Sequence, residues 1–200
     1  MPCNFVIKIK APLTEDVLKK LRAGDEVLLC GTIFTARDEA HKRIIKLTRL
    51  PVVGQEKLPF DIKGAVIYYT GPTPAKPGQI IGSCGPTSSY RMDKYTPELL
   101  KRGLKATVGK GRRSKEIVAA MKKYKAVYFA ATGGVGALIS KCVKKSEIIV
   151  FPDLGCEAVY RLEVKDFPLV VINDIYGNDL YQKIVDPALP VKWCKGTGKK

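Results

Sequence analysis

The sequence predicts a mixed α/β domain, and three observations support this fold class. Short apolar segments rich in Val, Ile, Tyr and Phe recur along the chain, as buried strands do. Segments with helical periodicity alternate with them, mainly in the second half. A chain of 200 residues with 46% hydrophobic side chains has the size and composition of one domain with a substantial core.

The first half of the chain is predicted to contain more strand than helix. Thr14 is predicted to cap a short helix, with acidic residues in its first turn. A second helix is predicted where acidic residues open an amphipathic segment and basic residues close it. The predicted strands are 4–10, 26–36 and 65–70, and the predicted helices are 14–21 and 37–47.

The second half alternates between helix and strand. Gly103 is predicted to end one helix, and the glycines after residue 131 lead into another. The predicted helices are 97–103, 114–124 and 132–145, and the predicted strands are 105–111, 126–131, 147–153 and 168–174. We expect one domain over residues 1–185 and a poorly ordered tail over 186–200.

The formal net charge of +16 makes nucleic acid a candidate partner. The lysines are spread along the whole chain, however, and no DNA- or RNA-binding motif accompanies them. A solvated lysine-rich surface, a dianionic substrate and an acidic partner chain are the alternatives. The N-terminus has no signal-peptide pattern and no segment is long and apolar enough to span a bilayer, so a cytoplasmic location is expected.

The six cysteines are widely separated, and none belongs to a CxxC pair. A disulfide framework is not expected at this length without a secretion signal, and a local zinc site lacks its usual ligand spacing. The cysteines are therefore predicted to be small thiols packed in or near the core, with no metal held by this chain.

Residues 71–88 form a long segment rich in Gly, Pro, Thr and Ser, which is typical of a functional loop. Pro86 suits the first turn of a helix, and Thr87 and Arg91 would then lie on one helical face. Backbone N–H groups at such a helix start attract anions, and an arginine fork matches a carboxylate. The alternative is a helix cap with a solvated arginine.

Three further segments carry polar or glycine residues of interest. Arg37, Asp38 and the single histidine, His41, lie at a predicted strand-to-helix junction, and Lys110 lies between two glycines that permit close approach of a ligand. The glycines of 131–138 do not have dinucleotide-binding spacing and are predicted to allow tight packing. The cations together with Thr87 predict a site for an anion with more than one negative group, although a catalytic carboxylate pair or a metal site is missing.

Five motifs follow one another in a fixed order along the chain. They are GTIFTARDEAH (31–41), YYTGPTPAKPGQIIGSCGPTSSYRMDKYTPELL (68–100), VGKGRRS (108–114), FAATGGVGAL (129–138) and VKDFPLVVINDIYGNDLY (164–181). Together they resemble the β-subunit of class I, iron–sulfur-dependent fumarate hydratase over about residues 3–185. The same unit is the C-terminal domain of single-chain members, and the L-tartrate dehydratase β-subunit is a relative.

The resemblance implies the three-layer swivelling β/β/α fold, related to the fourth domain of aconitase. It also implies a partner α-subunit that carries a [4Fe–4S] cluster, whose open iron acts as a Lewis acid in the reversible hydration of fumarate to L-malate. Fumarate is favoured over tartrate because YYTGPTPA and RMD are closer to the fumarase branch. Tyr90 departs from the small residue usual before the arginine, and it would either narrow the pocket or pack outward.

The resemblance also assigns roles to the candidate residues. Thr87 is the candidate for proton transfer, and its high ordinary pKa would require a dry, cationic site. Asp38 either holds His41 or Arg37 in place or takes part in proton transfer. Substrate carboxylates would be bound by Arg37, Arg91 and Lys110, with His41 and Ser88 behind them and Cys84 packing the loop. The alternatives of other classes are a basic nucleic-acid-binding module and a regulatory module that binds a dicarboxylate without chemistry.

Overall fold

The computed structural model describes residues 6–49, 58, 60–132 and 134–185, and these residues form a mixed α/β structure. Their strands belong to one seven-stranded sheet. The fold class predicted from the sequence is confirmed at this level. The strands are β1 (Ile7–Ala11), β2 (Glu26–Thr35), β3 (Val66–Tyr68), β4 (Ala106–Gly109), β5 (Val127–Ala130), β6 (Val143–Val150) and β7 (Val159–Asn173).

The helices lie mainly in the connections between strands. Ser114 caps the fourth helix, because its hydroxyl accepts a hydrogen bond from Ile117 N at 3.4 Å. The helices are α1 (Glu15–Leu18), α2 (Asp38–Arg49), α3 (Thr96–Lys101), α4 (Lys115–Tyr124), α5 (Gly136–Cys142) and α6 (Leu180–Val185), with 3₁₀ helices at Ser89–Met92 and Pro152–Glu157. Within these described residues no helix has the length and apolar character needed to cross a membrane.

The sheet closes into a ring of strands. β2, β3, β4 and β5 are successive parallel neighbours, and each crossover between them contains a helix. The long strand β7 runs antiparallel to both β2 and β5, which joins the two ends of this parallel group. β1 adds parallel to β2, and β6 adds antiparallel to β7. The carboxyl ends of the four parallel strands consequently meet at one edge, called here the carboxyl edge.

Two hydrophobic clusters cover the two faces of this sheet. In β3, Val66 and Tyr68 belong to one cluster and Ile67 to the other, and β5 alternates in the same way. Such strands are buried on both faces, which explains their nearly continuous apolar sequences. One cluster includes side chains of α1 and α5, and the other includes side chains of α2, α3 and α4.

Several predicted boundaries are wrong in ways that have a physical cause. α1 ends at Leu18, and Thr14 occupies its N-cap position without a side-chain hydrogen bond. β6 begins at Val143, so it includes the end of the predicted helix 132–145. β7 begins at Val159 rather than at 168, because its first half mixes buried and exposed residues and lacks the continuous apolar run of its second half. The predicted tail, 186–200, lies outside the described residues.

Candidate functional site

The predicted site residues follow the carboxyl ends of adjacent parallel strands. Arg37 comes two residues after β2, the 71–88 loop follows β3, and Lys110 follows β4 directly. In α/β proteins with parallel strands, whether the sheet is open or closed, ligands bind at the carboxyl ends of the strands. The topology therefore brings segments distant in sequence to the carboxyl edge.

The predicted helix geometry of the 82–93 segment is wrong. The 3₁₀ helix begins at Ser89, so Pro86 and Thr87 precede it and Thr87 shares no helical face with Arg91. Thr87 instead extends the sheet, with its N–H donating to Tyr69 O at 2.7 Å and its carbonyl accepting from Lys110 N at 3.1 Å. The Thr87 N–H, which the sequence argument offered to an anion, is thus already bonded within the protein.

This extension of the sheet places Thr87 beside Lys110. Ser88 and Lys110 form a parallel bridge, and Ser89 N donates to Lys110 O at 2.9 Å. Gly109 makes the close approach possible, because a Cβ atom there would clash with the Ser89 hydroxyl and lie 3.2 Å from Thr87 O. The glycine next to Lys110 therefore serves the packing of the site loop.

Arg91 is held by Asp38 across the site. Arg91 Nε donates to Asp38 Oδ1 at 3.0 Å, and Arg91 Nη2 lies 2.8 Å from Asp38 Oδ2 in an ion-pair contact. The Arg91 side chain remains 41% exposed and that of Asp38 28%. The expected partners of Asp38 were His41 or Arg37; its main partner is Arg91, and the Nε of Arg37 is 4.0 Å away.

Arg37 has a partner that the sequence analysis missed. Glu157, at the end of the second 3₁₀ helix, has its Oε1 3.5 Å from Arg37 Nη2, and its Oε2 accepts from Glu39 N at 3.0 Å. The guanidinium also packs on Gly71, where a Cβ atom would lie 2.8 Å from Nη1. No local pattern marks Glu157, because it arrives from a segment more than a hundred residues away in sequence.

His41 is buried behind Arg37 rather than exposed beside it. Its Nδ1 lies 2.8 Å from Arg37 O, so the Nδ1–H tautomer donates there, and among the described residues Nε2 has no hydrogen-bond partner. Burial lowers the pKa of His41 to about 4, and nearby Arg113 contributes. His41 is therefore neutral near pH 7 and supports the backbone at Arg37.

Cys84 packs the loop, as predicted, and the glycines after β5 permit close packing. Cys84 is fully buried, and its N–H donates to Gly136 O at 3.3 Å. A Cβ atom on Gly136 would lie 2.5 Å from Ser83 Oγ and 2.8 Å from Gly85 N. Burial raises the pKa of the Cys84 thiol to about 12, which makes it an inert thiol at neutral pH.

The side chains of the described residues do not provide a ligand set for an iron–sulfur cluster. No group of three or more His, Cys, Asp or Glu side chains is suitably arranged for a metal in this part of the chain. Cys30, Cys84, Cys142 and Cys156 are free thiols. The carboxyl edge instead offers two arginines, a lysine and a threonine hydroxyl, a set that suits carboxylate binding.

The fold and the carboxyl edge define a mixed α/β protein that carries cations and a threonine after the ends of its parallel strands. The chain belongs to the Fumarase C-terminus family, whose model matches residues 4–184.

Relatives include separate subunits and much longer chains. A Methanocaldococcus jannaschii protein with the provisional name L(+)-tartrate dehydratase subunit beta is 43% identical over 178 residues, covering 86% of this chain and 89% of its own. Fumarate hydratase 2 of Leishmania major is 37% identical, and the match covers 88% of this chain and 31% of that protein. The anaerobic class I fumarate hydratase of Escherichia coli is 36% identical, and the match covers 90% of this chain and 33% of that protein. The chain thus spans about a third of the length of these two fumarate hydratases.

Proposed function

We propose that this chain is the β-type subunit of a hydro-lyase that reversibly hydrates fumarate to L-malate. The observation that carries the proposal is the arrangement of Arg37, Arg91, Lys110 and Thr87 at one sheet edge in a member of the Fumarase C-terminus family. A substrate with a carboxylate at each end of a short carbon chain needs cations at two positions around its reacting carbons.

In this proposal the three cations bind the two carboxylates and the Thr87 hydroxyl faces the reacting carbons. The backbone of Thr87 is fixed by its bonds to Tyr69 and Lys110, which leaves the side chain to act. Neighbouring positive charge favours an ionised oxygen, so these cations would lower the barrier to proton transfer at the hydroxyl. Asp38 holds Arg91 and is a candidate for a direct role.

A partner α-subunit completes the proposed enzyme. It would carry the [4Fe–4S] cluster, which supplies Lewis-acid chemistry when bound, and the chain described here would be inactive alone. The β-subunit name of the Methanocaldococcus jannaschii relative supports a partner. The closed ring of strands is compatible with the swivelling β/β/α fold of aconitase domain four, and the cytoplasm is the proposed location.

A second candidate is the dehydration of L-tartrate. It is favoured by the 43% identity to the tartrate dehydratase β-type relative, of which this chain covers 89%. Tartrate carries one more hydroxyl than malate, and we assign none of the described residues to its recognition. The two candidates share the carboxylate-binding edge and differ in the substrate that turns over.

Co-expression with an α-type chain from the same genome under anaerobic conditions tests the proposal. We expect an iron–sulfur heteromer that hydrates fumarate and dehydrates L-malate, and Arg91→Lys should lower kcat/KM because lysine cannot form a two-point contact with a carboxylate. Arg102→Lys is the matched control, since Arg102 is an exposed residue directly after α3 that bonds to Glu98 and to the Thr48 carbonyl. Turnover of L-tartrate alone would select the second candidate, and an iron–sulfur heteromer without activity on any of these acids would refute both.

A further inference from the structure

The Arg113 side chain is buried directly behind the carboxyl edge and bonds to three other residues. It is 0% exposed, and Nε donates to Asp93 Oδ1 at 2.6 Å. Nη1 donates to Thr107 Oγ1 at 3.0 Å in β4, and Nη2 to Thr96 Oγ1 at 2.9 Å in α3. Each nitrogen of the guanidinium therefore donates to a protein acceptor, and the side chain has no surface exposed to a ligand.

The pair formed by Asp93 and Arg113 connects two segments that carry site residues. Asp93 comes two residues after Arg91, and Arg113 comes three residues after Lys110. The second carboxylate oxygen of Asp93 accepts from Ser114 N at 2.9 Å. Asp93 thus fixes the segment after Lys110 through both the side chain of Arg113 and the backbone of the next residue.

Tyr128 provides a second connection between the same segments. Its hydroxyl accepts from Ser89 Oγ at 2.9 Å and donates to Gly111 O at 2.8 Å. The Arg113 guanidinium carbon lies 5.1 Å from the centre of the Tyr128 ring, a cation–π distance. The segment around Arg91 and the segment around Lys110 are therefore joined at two points. Tyr128 links Ser89 to Gly111, and Asp93 bonds to Arg113.

We propose that Asp93 and Arg113 are positioning residues that fix the separation between Arg91 and Lys110, and with it the length of dicarboxylate the site accepts. This inference rests on the proposed function. A buried ion pair of this kind contributes little net stability relative to an apolar core but can specify geometry. Two cations that bind opposite carboxylates must be held within a fraction of an ångström for productive binding.

A purely structural role for the pair makes a different prediction. If Arg113 only stabilises the fold, its substitution lowers the melting temperature and leaves the kinetics of the remaining folded enzyme unchanged. If Arg113 positions the site, its substitution changes kcat or KM of the folded enzyme more than a core substitution with the same loss of stability does.

Kinetics of the assembled heteromer separate these two roles. We expect Arg113→Lys and Asp93→Asn each to lower kcat/KM for fumarate on the order of tenfold to a hundredfold, mainly through KM. The matched controls are Arg102→Lys and Glu98→Gln in the exposed ion pair, and Met121→Ala reproduces a loss of stability in the buried face of α4. If kcat and KM of both Arg113→Lys and Asp93→Asn equal those of Met121→Ala, the proposal is overturned.

Hydrogen exchange on the full chain tests the connection without relying on activity. In Arg113→Lys, we expect faster exchange together in 87–93 and 109–114, with α1 and β1 unchanged. Should Arg113→Lys fail to fold, the isosteric Asp93→Asn is measured in its place with the same expectation. Faster exchange confined to 109–114 refutes the positioning role, whereas a wild-type heteromer inactive on fumarate refutes only the proposed function.

Discussion

At the scale of single residues, Thr87 is the side chain on which the proposed chemistry depends most. Its backbone completes the sheet and its hydroxyl is dispensable for that role, because Tyr69 and Lys110 bond only to its main chain. We expect Thr87→Ala in the assembled enzyme to lower kcat by roughly 10²-fold or more while the melting temperature stays within a few degrees. Thr87→Ser keeps the hydroxyl and should recover part of the rate; equal rates for both variants would exclude the hydroxyl from proton transfer.

Glu157 gives a second prediction at the residue scale. Its carboxylate lies 3.5 Å from Arg37 Nη2 and also accepts the Glu39 N–H, so Glu157→Gln retains a hydrogen-bond acceptor and loses the charge. Glu157 holds the Arg37 guanidinium in place, and we expect the loss of this orientation to outweigh the loss of a competing negative charge. A partly exposed ion pair contributes about 0.2–1 kcal/mol, so KM for the dicarboxylate should rise by about 1.4-fold to fivefold with kcat nearly constant. Glu147→Gln, in the exposed pair with Arg161, is the control. A change in kcat alone would assign Glu157 a different role.

The location of the candidate cations could be predicted from the sequence better than the residues they pair with. Arg37, Arg91 and Lys110 were found from local chemistry and motif resemblance, and the parallel strands bring their segments to one edge. The pairing of Asp38 with Arg91 and of Glu157 with Arg37 could not be derived, because each joins segments far apart in sequence. The predicted helical face of Thr87 and Arg91 is wrong because sheet hydrogen bonds prevail over a short helix.

At the scale of elements, the turn after β7 depends on one carboxylate. Asp174 accepts hydrogen bonds from the N–H groups of Ala23, Tyr176 and Asn178 and from the Asn178 side chain, at 2.7–3.1 Å. Burial alone would raise the pKa of Asp174, but these bonds together hold it below the ordinary value of 3.8. This residue joins the α1–β2 turn to the end of β7.

Asp174→Asn is therefore expected to lower the free energy of unfolding by about 1–3 kcal/mol at pH 7, because an amide cannot accept all four bonds. A carboxylate with a lowered folded pKa stabilises the fold above its unfolded pKa of 3.8, and this contribution is lost as the pH falls through the folded value. Urea titrations at pH 7 and pH 3 measure the difference in free energy of unfolding between the wild type and Asp174→Asn. We expect this difference to be smaller at pH 3. Asp16→Asn on exposed α1 is the control, and a difference independent of pH would contradict the assignment.

Elements were predicted well where burial is continuous and poorly where it alternates. β3, β4 and β5 lie within the apolar segments that indicated them, because both of their faces are buried. β2 also lies within its predicted segment, although its first half is only partly buried. β7 was shortened in the prediction because its first half pairs with β2 and β6 while leaving Arg161 and Lys165 exposed. Its role in closing the ring is a long-range property that no local window of sequence contains.

At the scale of the whole molecule, the charge of +16 is distributed rather than focused. Exposed lysines lie on β1, α4, α5 and β6, among them Lys8, Lys122 and Lys141. The cations of the carboxyl edge are partly neutralised by Asp38 and Glu157. The distribution favours a solvated surface around a small-anion site over an extended groove for nucleic acid.

This distribution predicts weak and uniform binding of RNA by the chain. With a fluorescent single-stranded RNA, we expect binding at about 50 mM salt that is lost by about 200 mM, since each phosphate contact releases counterions. Lys122→Ala, Lys141→Ala and Arg91→Ala should each weaken binding by the same small factor, because no single position forms a specific contact. Tight binding at about 150 mM salt that depends on one cluster of lysines would contradict this prediction and support the nucleic-acid hypothesis.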